Sequence, residues 1–389
     1  MSRLSSPIRI RDVTFPNRAV LSPMCQYSAS DGYADDRHLV HLGRFALGGF
    51  GAIVVEATAV SPEGRITNGC LGLWSDRHVA GLERIAGFIQ ASGAVPAIQL
   101  GHAGPKASIQ RPWDGNGPLS QSDIERGDQV WDVVGPTDAP FDRGWLVPAR
   151  LDRSGMTRVR DDFVSAAERA LACGFKALEL HAAHGYLLHS FLSPFSNTRS
   201  DDYGGSIEGR WRFPLEVMTA VRAAWPAGLP LFVRISASDG FEGGWTLPDS
   251  IALARRMKAI GVDVVDCSSG GINGPATASR LPRAPGFQLP FAEAIRREAG
   301  VMTMGVGLIR TARQAEDALR DEKADLIAIG REALADPNWA LRAMDELDGA
   351  TDRAFQRWPQ QTGWWLAQRE RSLAASRQGS EPQTGKADD

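Results

Sequence analysis

Eight short runs of apolar, largely β-branched residues recur along the chain, at about 19–22, 52–56, 95–100, 176–181, 229–236, 262–268, 301–306 and 325–330. Between and after them lie amphipathic patterns at about 38–47, 76–92, 157–172, 207–225, 247–260, 290–299, 312–321 and 337–345. Runs this short, without polar alternation, read as strands buried on both faces, and the amphipathic stretches supply the helices that cover them. The alternation fits an α/β chain folded as a single (β/α)8 barrel, of the TIM type. A doubly wound open sheet is the alternative. It is disfavoured because no G-x-G-x-x-G opens a helix after the first run.

Local signals agree with several helix starts. Ser206 and Thr311 stand where N-caps belong, and Thr246 precedes Leu247-Pro248, placing proline in a first turn where its missing N–H is harmless. One stretch breaks the alternation. From 101 to 154 there is no sustained period but many prolines, glycines and charges, together with Trp113, Trp131 and Trp145. An irregular insert of this length after the third strand is expected to form a lid or binding loop at the barrel mouth. The barrel is expected to span 1–368, leaving 369–389 as a polar, disordered tail.

Composition narrows the partners. Net charge is −3 with acids and bases interspersed, so no basic stripe tracks a nucleic-acid backbone. No apolar run approaches the roughly 20 residues a bilayer span needs, and the first residues lack the apolar core of a secretory signal. The four cysteines, Cys25, Cys70, Cys173 and Cys267, form no C-x-x-C pair, which argues against a disulfide framework or a zinc or iron–sulfur knot. A cytoplasmic location is the expectation.

In a barrel, chemistry sits at the C-terminal ends of strands. Those ends read Ser22-Pro23-Met24-Cys25-Gln26-Tyr27, Glu56-Ala57, Gln99-Leu-Gly-His102-Ala-Gly104, His181-Ala-Ala-His184-Gly-Tyr186, Arg234, Ser268-Gly-Gly270, Gly305-Val-Gly307 and Gly330-Arg331. Glycines after the last two strands beside an arginine are the makings of a phosphate cradle. The remaining ends offer amide, imidazole, phenol, thiol and guanidinium groups but few carboxylates, which suits a planar, anionic, hydrogen-bonding ligand better than a hard metal. Arg234 lies in an apolar strand where an unpaired guanidinium is costly, so something anionic or electron-rich should meet it.

Blander readings stand beside these. An H-x-x-H pair is as often structural as ligating, and Ala182 after His181 removes the zinc-protease base, so no metal is expected. A lone cysteine such as Cys25 is more often a small buried hydrophobe than a redox group. His38, His41, His78 and His189 read as structural, and Trp364 and Trp365 could be tail-docking aromatics.

The ordered set Ser22-Pro-Met-Cys-Gln-Tyr27, Gln99-Leu-Gly-His-Ala-Gly104, His181-Ala-Ala-His-Gly-Tyr-Leu187 and Ile329-Gly-Arg-Glu332 resembles the Old Yellow Enzyme family of FMN-dependent ene-reductases, in its thermophilic-like branch, that of xenobiotic reductase A. The likeness runs from about Ile8 to Leu366. It implies non-covalent FMN, with NADPH or NADH as reductant. Ser22, Pro23, Met24, Cys25 and Ala57 would line the flavin, Gln99 and Arg234 would meet its pyrimidine edge, and Gly307, Gly330 and Arg331 would hold its phosphate. His181 and His184 would donate to a carbonyl or nitro oxygen of an enone, enal, maleimide or nitroalkene, and Tyr186 would protonate the α-carbon. Cys25 would tune the flavin, while Tyr27 and Trp365 would contact substrate, Trp365 in its own subunit or a neighbour's. The resemblance also implies a homodimer or homotetramer. Pro105 replaces an arginine common in the family and is followed by Lys106, which reads as the loss of a cation near the pocket mouth. Another flavin-dependent barrel reductase and a non-redox barrel using the histidine pair as metal ligands are the competing readings.

Overall fold

Eight parallel strands close into a barrel in the computed structural model, which describes residues 1–272, 283–349 and 355–378. They are β1 (Ala19–Leu21), β2 (Ala52–Ala59), β3 (Val95–Gly101), β4 (Ala177–Ala182), β5 (Leu231–Ser236), β6 (Val264–Ser268), β7 (Met302–Gly305) and β8 (Leu326–Ile329). Each pairs with the next, and β8 returns to β1 through Ile327–Ala19 and Ile329–Leu21. The expected strands are all present. β2 runs past its expected end because the register shifts between Val55 and Thr58, a bulge that carries the chain through Glu56 and Ala57.

The two-residue period of a strand decides what faces the axis. Ala97, Ala177, Phe232 and Val264 pack inside with Val20, Val54, Met304 and Ala328, whereas Ile98, Leu178, Leu180, Val233, Ile235 and Val265 pack outward against the helices. Two residues further along, the axial positions become Gln99, Glu179, Arg234 and Asp266; His181, Ser236 and Ser268 follow at the mouth. The barrel is thus apolar at depth and polar above. An antiparallel hairpin, Ile8–Ile10 with Val13–Phe15, plugs the floor, and Phe15 stacks on Phe232 at 6.1 Å. The hairpin was not expected, its strands being only three residues each.

The caps stand where the sequence put them. Ser206 accepts from Gly209 N, Thr246 from Asp249 N and Thr311 from Gln314 N, and each such cap is worth about 1 kcal/mol. The insert after β3 is irregular as expected, with a short helix Gln121–Glu125 and a two-stranded pair, Val134–Gly135 with Ala149–Arg150. The next helix begins at Arg153, four residues earlier than the periodicity suggested, because Asp152 caps it through Gly155 N. Besides Gln121–Glu125, three described α-helices were not expected, Leu187–Leu192, Arg331–Ala335 and Gln360–Gln378; the first of these is buried at every position and therefore has no amphipathic pattern. The tail boundary also needs correction. Residues 369–378 continue helix Gln360–Gln378 rather than starting an irregular tail, and 379–389 lie outside the described residues. No described helix is long and apolar enough to cross a membrane.

Candidate active site

A cavity of about 750 Å³ opens at the C-terminal mouth, lined by Ser22, Pro23 and Met24 after β1, His184 and Tyr186 after β4, Arg234 on β5, Gly307 after β7, and Gly330 and Arg331 after β8. Its size falls within the range of small-molecule and cofactor sites. Ala57, His181 and Tyr186 share a small hollow beside it. Cys25 and Tyr27 pack with Tyr186 against a cluster that includes Ile66, Cys70, Ala103 and Ile109. Gln99 lies beneath, buried, its Nε2 donating to Glu179 Oε1 at 2.8 Å. One expected residue is absent from this assembly. Trp365 lies on helix Gln360–Gln378, 69% exposed, and does not line the cavity of its own chain.

The turn after β4 explains how three polar groups converge. His184 has φ +60° and Gly185 φ +78°, so the chain doubles back immediately after the strand. A Cβ on Gly185 would stand 2.2 Å from Gly271 O, which makes glycine obligatory there. Leu187 N donates to His102 O at 2.9 Å and fastens the following helix to the β3 end. The His181 ring consequently meets His184 at 5.1 Å and Tyr186 at 4.8 Å, both edge to face. His181 Nδ1 accepts from Ala183 N at 3.2 Å, which leaves Nε2 as its N–H donor. His184 Nε2 lies 2.6 Å from Ser268 Oγ.

Electrostatics fix the protonation states. Burial, with Arg234 close by, pushes both imidazoles well below their ordinary range, so both are neutral near pH 7. Burial also pushes the phenols of Tyr27 and Tyr186 and the thiol of Cys25 upward, leaving all three as neutral groups. His189 is structural as expected: its Nδ1 accepts from Gly185 N at 2.8 Å, and its Nε2 lies 3.0 Å from buried Asp239. Arg234 is met by Asp266, its Nε 3.1 Å from Oδ2.

Several site groups were not singled out from sequence. Lys106 is one, and it overturns the inference drawn from Pro105. Its side chain is 5% exposed, lines the cavity, and places Nζ 5.3 Å over the Tyr186 ring and 4.6 Å over Phe141, so the mouth keeps a basic group. Nζ donates to His184 O at 2.8 Å and Gly271 O at 3.2 Å, and burial lowers its pKa to about 7. Gln288 is another cavity residue, donating to Ser269 Oγ at 2.8 Å. Glu179 and Asp266 form the buried floor.

The residues present fit a phosphorylated flavin. Ser22 Oγ is buried at the cavity wall with no hydrogen-bond partner among the described residues, a donor awaiting an acceptor. Gly307 has φ +119°, and a Cβ there would come within 3.0 Å of Gln288 and 3.1 Å of Phe287, so the backbone lies bare beside Gly330 and Arg331. Arginine and bare backbone amides after strands seven and eight are the usual phosphate donors of such barrels.

Fold and site together are those of a barrel that accommodates a flavin, with Gly307, Gly330 and Arg331 on one side of the mouth and neutral imidazole and phenol groups on the other. The chain belongs to the NADH:flavin oxidoreductase / NADH oxidase family, whose model matches residues 3–349, and so to the Old Yellow Enzyme group that the strand-end motifs resemble. It is an oxidoreductase whose cofactor is FMN and whose reductant is a reduced nicotinamide nucleotide. Similar proteins include an NADPH dehydrogenase of Geobacillus sp. (strain WCH70), 42% identical over 93% of this chain and 98% of the relative. The NADPH dehydrogenase of Listeria monocytogenes serotype 4a (strain HCC23) is also 42% identical, over 89% and 96%. Among solved structures, morphinone reductase matches with a TM-score of 0.73 at 25% identity, over 88% of this chain and 89% of that one. 2-Naphthoyl-CoA reductase in complex with 2-naphthoyl-CoA matches with a TM-score of 0.78 at 25% identity; this chain covers 89% of itself but only 52% of that chain, so it spans about half its length.

Proposed function

We propose that the chain reduces the C=C bond of activated alkenes (enones, enals, maleimides and nitroalkenes) at the expense of NADPH or NADH. The observation that carries this reading is the neutral trio His181, His184 and Tyr186: His184 and Tyr186 stand at the wall of the cavity that Arg331 and Gly307 help to line, and the His181 ring, in the adjoining hollow, packs about 5 Å from each. Bound FMN supplies the hydride. His181 Nε2–H donates to the carbonyl or nitro oxygen, which draws electron density from the alkene and makes the β-carbon electrophilic. His184 joins it by exchanging its contact with Ser268 Oγ for the same oxygen. A neutral imidazole suits this role, because it donates a hydrogen bond without committing a buried charge. Tyr186, its proton held by burial, delivers that proton to the α-carbon as general acid. Tyr27 and Cys25 pack beside Tyr186 as neutral groups, and morphinone reductase among the structural neighbours supports an ene-reductase of this kind.

Isotope placement tests it. Reduction of 2-cyclohexenone with 4-deuterated NADPH should label the β-carbon, and reduction in D2O the α-carbon. An unreduced alkene, or the α-carbon labelled from the nucleotide, would sink the reading.

A further inference from the structure

The polar layer directly beneath the cavity holds more acid than base. Glu179 on β4 and Asp266 on β6 both point to the barrel axis and are 1% and 0% exposed. Among the described residues, Arg234 on β5 is the cation acting on the pair, through Asp266 at 3.1 Å. β3 contributes the neutral amide of Gln99, which donates to Glu179 Oε1. Beside Asp266, Cys267 carries a thiol that burial keeps neutral. Three carboxyl oxygens, Glu179 Oε2 and both of Asp266, have no aligned hydrogen-bond donor among the described residues. Two buried carboxylates against one guanidinium would leave an uncompensated negative charge, which is costly in a low-dielectric interior. A single proton between the two carboxyl groups removes that charge and gives one orphan oxygen its donor.

We propose that Glu179 and Asp266 hold one proton between them at neutral pH, and that protonated Glu179 is the positioning residue that orients Gln99 and Arg234 for FMN. The geometry divides the duties. Glu179 donates to Asp266 and accepts from Gln99 Nε2, so the Gln99 amide is held in one of its two flips. Its Oε1 is thereby left for a donor on the flavin. Asp266 stays anionic against Arg234 and fixes the guanidinium at the cavity wall. Loss of the shared proton puts a second negative charge under the cofactor, where it competes for Arg234. Burial and the neighbouring Asp266 raise Glu179 to about 8, so the loss falls just above neutrality. The inference concerns the cofactor seat and stands apart from the choice of alkene.

The test is the pH dependence of FMN binding by apoprotein, read from quenching of flavin fluorescence. With Lys106, the other cavity group that titrates near 7, replaced by Met in every protein compared, the FMN dissociation constant of the chain with wild-type Glu179 should rise about tenfold between pH 7 and 9, as one proton is lost with a midpoint near 8. Glu179→Gln keeps a neutral donor to Asp266 and an acceptor for Gln99, so its dissociation constant at pH 7 should match that of the chain with Glu179 and change less than about twofold up to pH 9. A constant that stays flat with Glu179 in place, or a tenfold rise that persists in Glu179→Gln, would overturn the proposal. Should that variant fail to fold, infrared spectra of the Glu56→Gln apoprotein decide. Buried Glu56 is itself raised to about 8 by burial and is removed there to leave the pair's signal alone. A protonated-carboxyl stretch present at pH 7 and gone by pH 9 supports the shared proton; its absence at pH 7 refutes it.

Discussion

Tyr186→Phe removes one oxygen and no ring contact. The ring stays at 4.8 Å edge to face on His181, with the Lys106 amine 5.3 Å above it, so the turn after β4 and the flavin seat should be unaltered. Only the proton donor is lost. General acid catalysis by a positioned side chain contributes typically 10²–10⁴-fold, or about 3–5 kcal/mol of barrier. The oxidative half-reaction, reduced enzyme with 2-cyclohexenone, should slow by that factor. Hydride transfer from NADPH to flavin needs no proton from Tyr186 and should stay within about twofold. Anaerobic stopped-flow absorbance separates the two. The wild type adds a check on sign: burial raises the phenol above its ordinary value, so Tyr186 remains protonated and reoxidation should show no loss from phenol ionisation up to about pH 9. Equal slowing of both half-reactions, or of neither, would refute the assignment.

Lys106→Met should change how stability depends on pH. Lys106 titrates near 7 when folded against an ordinary 10.5, so between those values the unfolded chain binds the proton that the folded chain has lost. Wild-type stability relative to the variant should therefore rise with pH, by about 1.4 kcal/mol per unit between about pH 7.5 and 9.5; urea titrations giving a constant difference would contradict this. Gly307→Ala should lower FMN content while the barrel still folds, because the added Cβ enters a contact of 3.0 Å at a φ of +119°; circular dichroism and flavin absorbance read the two separately. Trp365→Ala should leave the FMN dissociation constant of the isolated chain unchanged within about twofold, since the indole is exposed; fluorescence titration checks it.

Much of the fold was legible because the strands are apolar on both faces, and their ends marked the mouth. Ser22 to Met24, His184, Tyr186, Arg234, Gly307, Gly330 and Arg331 came together at one cavity. Three features escaped for physical reasons. Helix Leu187–Leu192 is buried all round and so shows no period. Lys106 sits in an irregular insert, where only tertiary contacts reveal that its amine turns inward to His184 O and Gly271 O. Trp365 follows Trp364 on a helix whose aromatic pair gave no indication of facing solvent. A signal was available for the floor. Glu179 within Ala-Leu-Glu-Leu-His and Asp266 within Val-Val-Asp-Cys are acids inside fully buried strands, and strand parity alone sends both to the axis.

The most direct test is a single anaerobic double-mixing experiment. Enzyme reduced by one equivalent of NADPH is mixed with 2-cyclohexenone while flavin absorbance is followed, and the product is quantified afterwards. The account predicts bleaching by NADPH, full return of the flavin band on adding the alkene, and one cyclohexanone per flavin reoxidised. A flavin that bleaches but stays reduced in the presence of the alkene, and recovers only with oxygen, would contradict it.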